Sequence, residues 1–506
     1  MNLDEFLYKL HYETDRVKPG DWVVNWDDAP LPYKLYQGLP SVELPISPLF
    51  HFKEKKTAIP SLEELGHFLK FTFGLTQISQ TLPVDDQTGE WTTYRRFAPS
   101  GGALYPSELY LYLKMEGLPH GIYHYDAAHH RLVALREGNF DSYLQRALGS
   151  RCDISSAFGT VFLSVFFWKN FFKYHNFSYR LQGLDTGFVI GQLLETGRRL
   201  GFQTSVYYQF LDRALNHLLG ISEQEETVYA ALPLSVDPAV DWSREREEKL
   251  EESVTAASLS SELPPLSHCQ YVRSREIRPY PVILKMNEAC LLDSLQFKKV
   301  KKEAKAKPPQ TERLSYDFYP VCEKRHSPGL DFYQKPVSKS ALMALLNEAF
   351  SASLHQNDVD VLDVSLYCYT YNVAGLPNGF YSYNESSHDL TLIEEGDFRT
   401  ELQDGLLADT VNLVQVPLHF VIAGASDHNQ PDYGYRGHRI QHMEAGILSQ
   451  HLLLAASALD LSGHPLLGFD VNTYDDLFKL RETKKTSLLF LPVGSSRPLP
   501  RLQGPL

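Results

Sequence analysis

Two neighbouring residues, Lys173 and Tyr174, have side chains that could move a proton, and they follow a run of phenylalanines in FFKYHNFSYR (171–180). A free tyrosine has a pKa of about 10 and is a poor base at neutral pH. An adjacent ammonium stabilises the phenolate, so Tyr174 could be a base with Lys173 as its electrostatic partner. In the reverse assignment, a desolvated Lys173 is the base. A purely structural interpretation places Lys173 on the surface and Tyr174 in the core.

A loop of small residues, Pro99-Ser100-Gly101-Gly102, lies within RRFAPSGGALYPSELYLYL (95–113). Glycines beside a serine expose backbone N–H groups and let a flat ligand approach the main chain closely. The alternation of apolar and polar residues that follows predicts a strand. The loop is therefore either a tight turn into that strand or part of a ligand-binding site.

The chain resembles itself at a nearly constant spacing. GIYHYD (121–126) matches GFYSYN (379–384) 258 positions later. Tyr174 matches Tyr433, and ALPLSV around Pro233 matches a similar segment, at a spacing of 259. Matches that keep one spacing over a long stretch predict an internal duplication.

Each half has the pattern of an α+β fold. Apolar residues recur at i, i+3 and i+4 in 184–201 and 442–461, as in core helices. Helices are also predicted after Ser61, with a capping box, and after Ser338. The segment 280–297 could hold a strand or a short helix. Four residues at equivalent helix positions in the two halves are interpreted as braces for the long helices: Arg180, Arg439, Asp185 and Glu444.

The composition disfavours several classes of protein. The 506 residues carry a net charge of −14, which argues against a nucleic acid or an anionic membrane as partner. Five widely spaced cysteines without a C-x-x-C motif predict neither a disulfide framework nor a zinc site. An acidic N-terminus and the lack of a long apolar run favour a cytoplasmic protein without a membrane span. Four histidines show no metal-ligand spacing and are predicted not to be ligands: His175, His268, His438 and His464.

The stretch around Ser100 resembles the flavin-binding loop of nitroreductase-like flavoproteins. KRHSPGLDF (324–332) is similar to an opening motif whose basic residues and serine hold the flavin phosphate. GHPLLGFD (463–470) is similar to a segment that lies along the isoalloxazine ring. With the Lys-Tyr pair, these segments resemble the SagB/ThcOx-type dehydrogenases, which oxidise thiazoline or oxazoline rings in peptides.

The resemblance implies FMN as the cofactor, Lys173 and Tyr174 as catalytic residues, and no metal. Gly329 and Leu330 stand where the opening motif usually has a second arginine, and Arg497 is assigned to the phosphate in its place. The residues implied in FMN binding are Arg96, Pro99, Ser100, Gly101, Gly102, Lys324, Arg325, His326, Ser327, Pro465, Leu466, Leu467, Gly468 and Arg497.

The two halves keep different parts of this pattern. The first half has the PSGG loop and the Lys-Tyr pair. Its segment LPISPLFHF (44–52) keeps Ser47 but has Leu44, Pro45 and Ile46 where the phosphate-binding opening has Lys324, Arg325 and His326, and SVYYQFLD (205–212) replaces GHPLLGFD. The second half has both flavin segments, but LHQNDVD (354–360) replaces PSGG and Asp432 replaces the lysine. Because nitroreductase-type dimers build each site from both subunits, the resemblance implies one complete FMN site and one degenerate copy.

The predicted fold is α+β, with tandem duplicated nitroreductase-like domains that form an intramolecular pseudo-dimer. The predicted organisation is an N-terminal extension (1–55), a first half (56–240), a linker region (241–312) and a second half (313–506). The extension is predicted to be extended and proline-rich, and too short for the leader-binding domain that some relatives carry.

The predicted function is FMN-dependent oxidation of a thiazoline or oxazoline to the aromatic azole in a peptide intermediate, with hydride transfer to the flavin and reoxidation by O2. The peptide is expected on a carrier protein of a nonribosomal peptide synthetase, and a ribosomally made peptide is the alternative. Further alternatives are an NAD(P)H-dependent nitro- or quinone reductase and a non-catalytic scaffold of a biosynthetic complex. The Lys-Tyr pair disfavours the simple reductase, because hydride transfer alone needs no such base.

Overall fold

The computed structural model describes residues 2–46, 59–81, 91–240, 242, 254–298, 313–359, 364–498 and 502–505. Two predicted features lie outside the described residues, namely Ser47 and the boundary near residue 55, as do residues 243–253 and 299–312 of the predicted linker region.

Helices and strands alternate along both halves of the chain. The α-helices are α1 (Leu3–Tyr12), α2 (Leu62–Phe73), α3 (Asp141–Ala147), α4 (Trp168–Tyr174), α5 (Ser178–Leu200), α6 (Asp212–Leu219), α7 (Ala256–Ser260), α8 (Pro281–Cys290), α9 (Phe318–Lys324), α10 (Lys339–Ser353), α11 (Arg399–Asp404), α12 (Gln430–Tyr433), α13 (Arg436–Ala458) and α14 (Val471–Leu477). The strands are β1 (Ser41–Glu43), β2 (Gln77–Thr81), β3 (Trp91–Arg95), β4 (Ser107–Leu113), β5 (Gly121–Asp126), β6 (Arg131–Glu137), β7 (Gly159–Phe166), β8 (Gln203–Thr204), β9 (Glu226–Ser235), β10 (Val337–Ser338), β11 (Ser365–Thr370), β12 (Val373–Ala374), β13 (Gly379–Asn384), β14 (Asp389–Glu395), β15 (Leu418–Ala425), β16 (Ser462–Gly463), β17 (Lys485–Gly494) and β18 (Leu502–Pro505).

Local sequence explains where several helices begin. Ser61 caps α2 with the predicted capping box, since its hydroxyl accepts from Glu64 N and its own N–H donates to the Glu64 carboxylate. The Ser338 hydroxyl accepts from Ala341 N at the start of α10. The extension differs from its prediction, because Asn2 caps α1 and Phe6 is among the apolar residues that this helix buries.

Two antiparallel sheets carry the fold. The first has the strand order β1-β6-β5-β4-β7-β9-β8, and the second has the order β14-β13-β11-β15-β17-β16. The ladders also agree in register: Gly159 faces Leu234 in the first sheet, and Leu418 faces Val493 in the second, each 259 positions later. The two sheets therefore share one topology, to which the first adds β1 at its edge.

The long helices α5 and α13, each of 23 residues, cross at the centre of the molecule. Gly187 of α5 lies against the backbone of Met443, and Gly446 of α13 lies against the backbone of Leu184. A Cβ atom at either glycine would collide with a carbonyl oxygen, so the close crossing depends on both glycines. One apolar core continues from one half into the other through these helices.

Segments near both termini pack on the opposite half. In α1, the His11 ring nitrogen lies 2.6 Å from the Thr486 hydroxyl, and Tyr435 donates to Asp4. Strand β18 pairs with β2 in an antiparallel ladder. In the linker region, α8 takes the helical alternative, and Leu292 N next to it donates to Asp212. Among the described residues, no helix is both long and apolar enough to cross a membrane.

Candidate active site

The Lys-Tyr pair and the PSGG loop meet in the folded chain. Lys173 and Tyr174 form the last turn of α4, which ends at His175 with a positive φ of 50°. Gly102 has a φ of 64°, and a methyl group added there would lie 2.7 Å from the Tyr174 hydroxyl oxygen and 2.9 Å from Lys173 Nζ. The hydroxyl of Tyr174 and the amine of Lys173 therefore converge on Gly102, in the space that a side chain at this position would fill. The Lys173 ammonium also lies 4.9 Å from the centre of the Tyr174 ring.

Asp185 of α5 fixes this loop, which its sequence interpretation as a helix brace did not foresee. Its carboxylate accepts from the Ser100 hydroxyl at 2.6 Å and from Gly101 N at 3.1 Å. The Ser100 oxygen in turn accepts from Tyr105 N at 2.9 Å. A serine in a glycine loop and an acid within a predicted core helix were the available signals, but only the fold pairs them.

The electrostatics of the three side chains separate their roles. Burial raises the pKa of Tyr174, and the nearby Asp185 raises it further. Burial lowers the pKa of Lys173, and Lys18 adds to that effect. Burial also raises the pKa of Asp185 to about 7, although the bonds from Ser100 and Gly101 oppose it. The pKa of Tyr174 is thus raised despite its neighbour Lys173, whereas burial favours the neutral amine of Lys173.

The second half contributes a buried arginine to the same loop. Arg325 Nε donates to Phe97 O at 2.6 Å, although the two residues lie 228 positions apart. Burial first, and the neighbouring Arg95 second, lower the pKa of Arg325 to about 9. Arg95 Nη1 donates to Gln77 at 2.9 Å. Arg325 Nη1 and Arg95 Nη2 are buried without a hydrogen-bond partner in the described part of the chain.

Arg95, rather than Arg96, is therefore the arginine of this strand that faces Arg325. Arg96 is fully buried, and its guanidinium donates to the carbonyl oxygens of Phe73 and Pro32 and lies 3.9 Å from the Phe73 ring centre. Arg95 is the last residue of β3 and Arg96 follows it, and the two guanidinium groups have different partners. Arg96 thus has partners within the protein, and its assignment to the cofactor stays a prediction.

Other predicted phosphate ligands lie around Arg325 with different partners. His326 is half-buried, and its Nε2 lies 3.3 Å from the Ser496 hydroxyl. Lys324 instead forms a surface ion pair with Asp460. Two further predicted ligands have no side-chain contact in the described structure that identifies a role: half-buried Ser327, and exposed Arg497, whose backbone N–H donates to Asp331 O.

The segment 465–468 passes beside the opening motif. His464 Nδ1 accepts from Gly329 N at 3.1 Å, which joins the two predicted flavin segments. Leu466 exchanges backbone hydrogen bonds with Phe490, and Leu467 is buried in the core. Gly468 is exposed, with open space where a side chain would be. Among the described residues, the amides of Leu467 and Gly468 have no hydrogen-bond partner.

The equivalent place in the other half is filled by the protein itself. Tyr207 forms a β-bridge with Ala231, as Leu466 does with Phe490 in the second half. Residues 206–209 therefore correspond to residues 465–468 in the structure. This correspondence is shifted by one position from the alignment of the two sequence segments. The Asp358 carboxylate accepts from Tyr208 N at 2.7 Å and from Gln209 N at 3.0 Å. These amides are the counterparts of the unpaired amides at Leu467 and Gly468.

Further side chains close the same position. The Glu444 carboxylate accepts from the Tyr208 hydroxyl at 2.6 Å and lies 3.1 Å from His355 Nε2. Glu444 therefore braces this cluster rather than the long helices alone. Lys298 from the linker region pairs with Asp432 and lies 5.3 Å from the centre of the Tyr433 ring.

Arg180 and Arg439, which were interpreted from the sequence as braces for the long helices, each donate hydrogen bonds to the opposite half. Arg180 Nη2 donates to the carbonyl oxygens of Ser487 and Leu488, and Arg439 Nη2 donates to Asp212 at 3.1 Å. No group of three or more His, Cys, Asp or Glu in the described ranges could hold a metal ion.

The residues around the loop suit a flavin mononucleotide. Buried guanidinium groups with unpaired N–H atoms match the charge and acceptor geometry of a phosphate. The backbone amides of Leu467 and Gly468, which have no hydrogen-bond partner among the described residues, match a flat heterocycle with acceptor atoms.

Comparisons with known proteins agree with this architecture. Residues 323–495 match the Nitroreductase family model, so the second half carries a nitroreductase-family domain. A nitroreductase-type crystal structure from Anabaena variabilis superposes on 98% of this chain and 99% of its own, with a TM-score of 0.74 and 20% identity. The predicted mixed helix–sheet, nitroreductase-like fold is confirmed, whereas the duplication, the pseudo-dimer and the narrower family assignment stay predictions.

Two relatives match parts of the chain by sequence. A nitroreductase-type protein of Methanocaldococcus jannaschii, MJ1384, is 28% identical over 131 residues, 26% of this chain and 64% of that protein. The trifolitoxin-processing protein TfxB of Rhizobium leguminosarum bv. trifolii is 27% identical over 146 residues, 27% of this chain and 38% of that protein. The matches thus span less than two thirds of either relative.

Proposed function

We propose that this chain is an FMN-dependent azoline dehydrogenase that converts a thiazoline or oxazoline in a peptide to the aromatic azole. The observation that carries the proposal is the convergence of Lys173 and Tyr174 on Gly102, in a loop that follows Phe97, whose carbonyl oxygen accepts from Arg325 of the second half. A simple flavin reductase would have no use for a desolvated amine and a phenol at that position.

The cofactor would be held by residues of both halves. Arg325 and Arg95 would bind the phosphate, with His326 and Ser327 beside them, and segment 465–468 would line the ring. The PSGG loop, held by Asp185, would lie under the cofactor. Bound FMN would supply a hydride acceptor.

Aromatising an azoline removes a hydride and a proton from neighbouring ring atoms, so the proton needs a base of the protein. Lys173 is the proposed base, because burial favours its neutral amine. Tyr174, whose pKa is raised, stays protonated and can donate a hydrogen bond to the substrate. Asp185 positions both through the loop on which they converge.

The chain is proposed to be an internally duplicated pseudo-dimer with one FMN site. The common strand order and the common register of the two sheets support the duplication. The Asp358 carboxylate accepts hydrogen bonds from the amides of Tyr208 and Gln209. The counterpart amides at Leu467 and Gly468 have no partner among the described residues, and this difference supports the loss of the second site.

A peptide is the proposed substrate, and a carrier protein of a peptide synthetase is the proposed means of its delivery. The sequence similarity to a trifolitoxin-processing protein supports a role in the maturation of a natural product. The carrier rests on the sequence argument alone.

Mass spectrometry tests the proposal directly. Purified protein is incubated with a thiazoline-bearing peptide, either free or attached to a carrier protein, and a loss of two hydrogen atoms is expected. The matched control is Lys173→Ala, which should bind flavin without forming the azole. If no azole forms from any substrate while NADH reduces the flavin and a quinone reoxidises it, the chain is a reductase instead.

A further inference from the structure

A segment near the N-terminus lies directly over the helix that carries Lys173. We call residues 14–28 the N-terminal cover. Trp22 Nε1 donates to Phe172 O at 3.2 Å, and the Trp26 ring packs edge-on against the Phe172 ring at 5.3 Å. His175 Nδ1 lies 3.1 Å from Val17 O. The cover is thus bonded to both the middle and the end of α4.

The linker region holds the cover in place from outside. The Asp28 carboxylate accepts from Arg275 N at 2.7 Å and from Glu276 N at 3.0 Å. Ser274 donates to Asp28 O and accepts from Trp168 Nε1 of α4, at 2.8 and 2.9 Å. The cover, the linker and α4 therefore form one bonded unit.

Trp26 is the part of the cover that reaches the amine. Lys173 Nζ lies 5.6 Å from the centre of the Trp26 ring. The charged and titratable groups around this amine are Lys18 on the cover, Tyr174 on the same helix and Asp185 behind Tyr174. In the part of the chain that the structure describes, no carboxylate forms an ion pair with Lys173, and the like charge of Lys18 adds to the effect of burial on its pKa.

We propose that Trp26 is a positioning residue for Lys173, because its indole excludes water from one side of the amine and fixes where the amine lies. The proposal deepens the proposed function and rests on it for the role of Lys173. It assigns the N-terminal cover to the active site, where the sequence indicated only a connecting extension.

Two opposing effects of the indole must be compared. A ring near an ammonium stabilises the charged form, and this attraction fades by about 6 Å. At 5.6 Å the attraction is near that limit, whereas burial is the largest influence on the protonation of Lys173. Removing the ring should therefore favour the charged form through better hydration.

The test measures the protonation of Lys173 without any substrate. The full chain is acetylated with acetic anhydride over a range of pH, and peptide mass spectrometry follows Lys173, with exposed Lys285 as internal reference. The reagent attacks only the neutral amine. The midpoint of the profile is compared rather than the rate, because loss of the indole also increases access.

In Trp26→Ala, the midpoint of the Lys173 acetylation profile should move to higher pH. The neutral fraction of the Lys173 amine at pH 7 should fall about threefold or more, which corresponds to about half a pKa unit. Trp26→Phe should keep most of the original profile. Val23→Ala is the matched control, because Val23 belongs to the cover and is 72% exposed. If Trp26→Ala does not fold, Trp26→Leu takes its place.

An unchanged or lower midpoint in the variant without the indole would overturn the inference. This readout is independent of azoline oxidation, so the failure of one does not imply the failure of the other. If the protein is active, the acid limb of its kcat profile should shift in the same direction as the labelling midpoint.

Discussion

The close approach of Lys173 and Tyr174 to Gly102 provides the sharpest test of the site, through the single change Gly102→Ala. The new methyl group would lie 2.7 Å from the Tyr174 hydroxyl and 2.9 Å from Lys173 Nζ, whereas ordinary contact begins at 3.4 Å. Each polar end must therefore withdraw by roughly half an ångström, and misplacement approaching 1 Å can cost about 10²-fold in rate. The φ of 64° adds about 1–2 kcal/mol of backbone strain for a residue with a Cβ.

Gly38→Ala separates these two effects. Gly38 has a φ of 69° and nothing within 4 Å of an added Cβ, so it has a comparable backbone penalty without the collision. Both variants should lose about 1–2 kcal/mol in free energy of unfolding, measured by urea denaturation. Only Gly102→Ala should lose about 10²-fold in the single-turnover rate of flavin reduction by a thiazoline peptide.

Equal turnover in the two glycine variants would refute the argument. It would mean that Lys173 and Tyr174 do not act where their side chains converge. Loss of bound flavin in Gly102→Ala would instead assign the glycine to cofactor binding, so flavin absorbance is measured for each variant before the rates are compared.

Four further outcomes are expected. Denatured protein should release one FMN per chain, and two would contradict the closure of the second site by Asp358. Arg325→Ala should lose flavin, because a charge-assisted hydrogen bond of about 1.5–3 kcal/mol is removed, whereas Pro45→Ala at the sequence-aligned position should retain it in the same absorbance assay. Tyr174→Phe should stay yellow yet slow azole formation measured by mass spectrometry, and Tyr433→Phe in the other half should leave the rate intact. The free energy of unfolding should fall as the pH drops below about 6.5, by up to about 1.4 kcal/mol per unit for each buried histidine, because burial lowers their pKa values in the folded state and the unfolded chain binds the protons first. The midpoint of urea unfolding, measured at pH 7 and pH 5, checks this, and equal midpoints would contradict it. The buried histidines whose rings adjoin one another are His11, His428, His438 and His442.

Much of the fold could be predicted from the sequence, because local sequence patterns determine which helices and strands form. Apolar spacing marks α5 and α13, the Ser61 capping box marks the start of α2, and alternation marks β4 and β11. The constant spacing between the halves anticipated two sheets of one topology, since equal strands with equal periodicity form equal ladders. The sequence also selected Lys173, Tyr174 and the PSGG loop, although it had no means of bringing them together.

The tertiary structure decided which side chains face one another. Arg95 faces Arg325 and Arg96 does not, which depends on how the strand meets the second half. Asp185 holds Ser100 because α5 passes beneath the loop.

Long-range packing also decided the chemistry assigned to the Lys-Tyr pair. The pKa directions of Lys173 and Tyr174 follow from burial. Burial is set by segments far along the chain, including the N-terminal cover. Residue types and local periodicity determine which elements form, whereas desolvation and pairing arise only when distant surfaces exclude water from the same place.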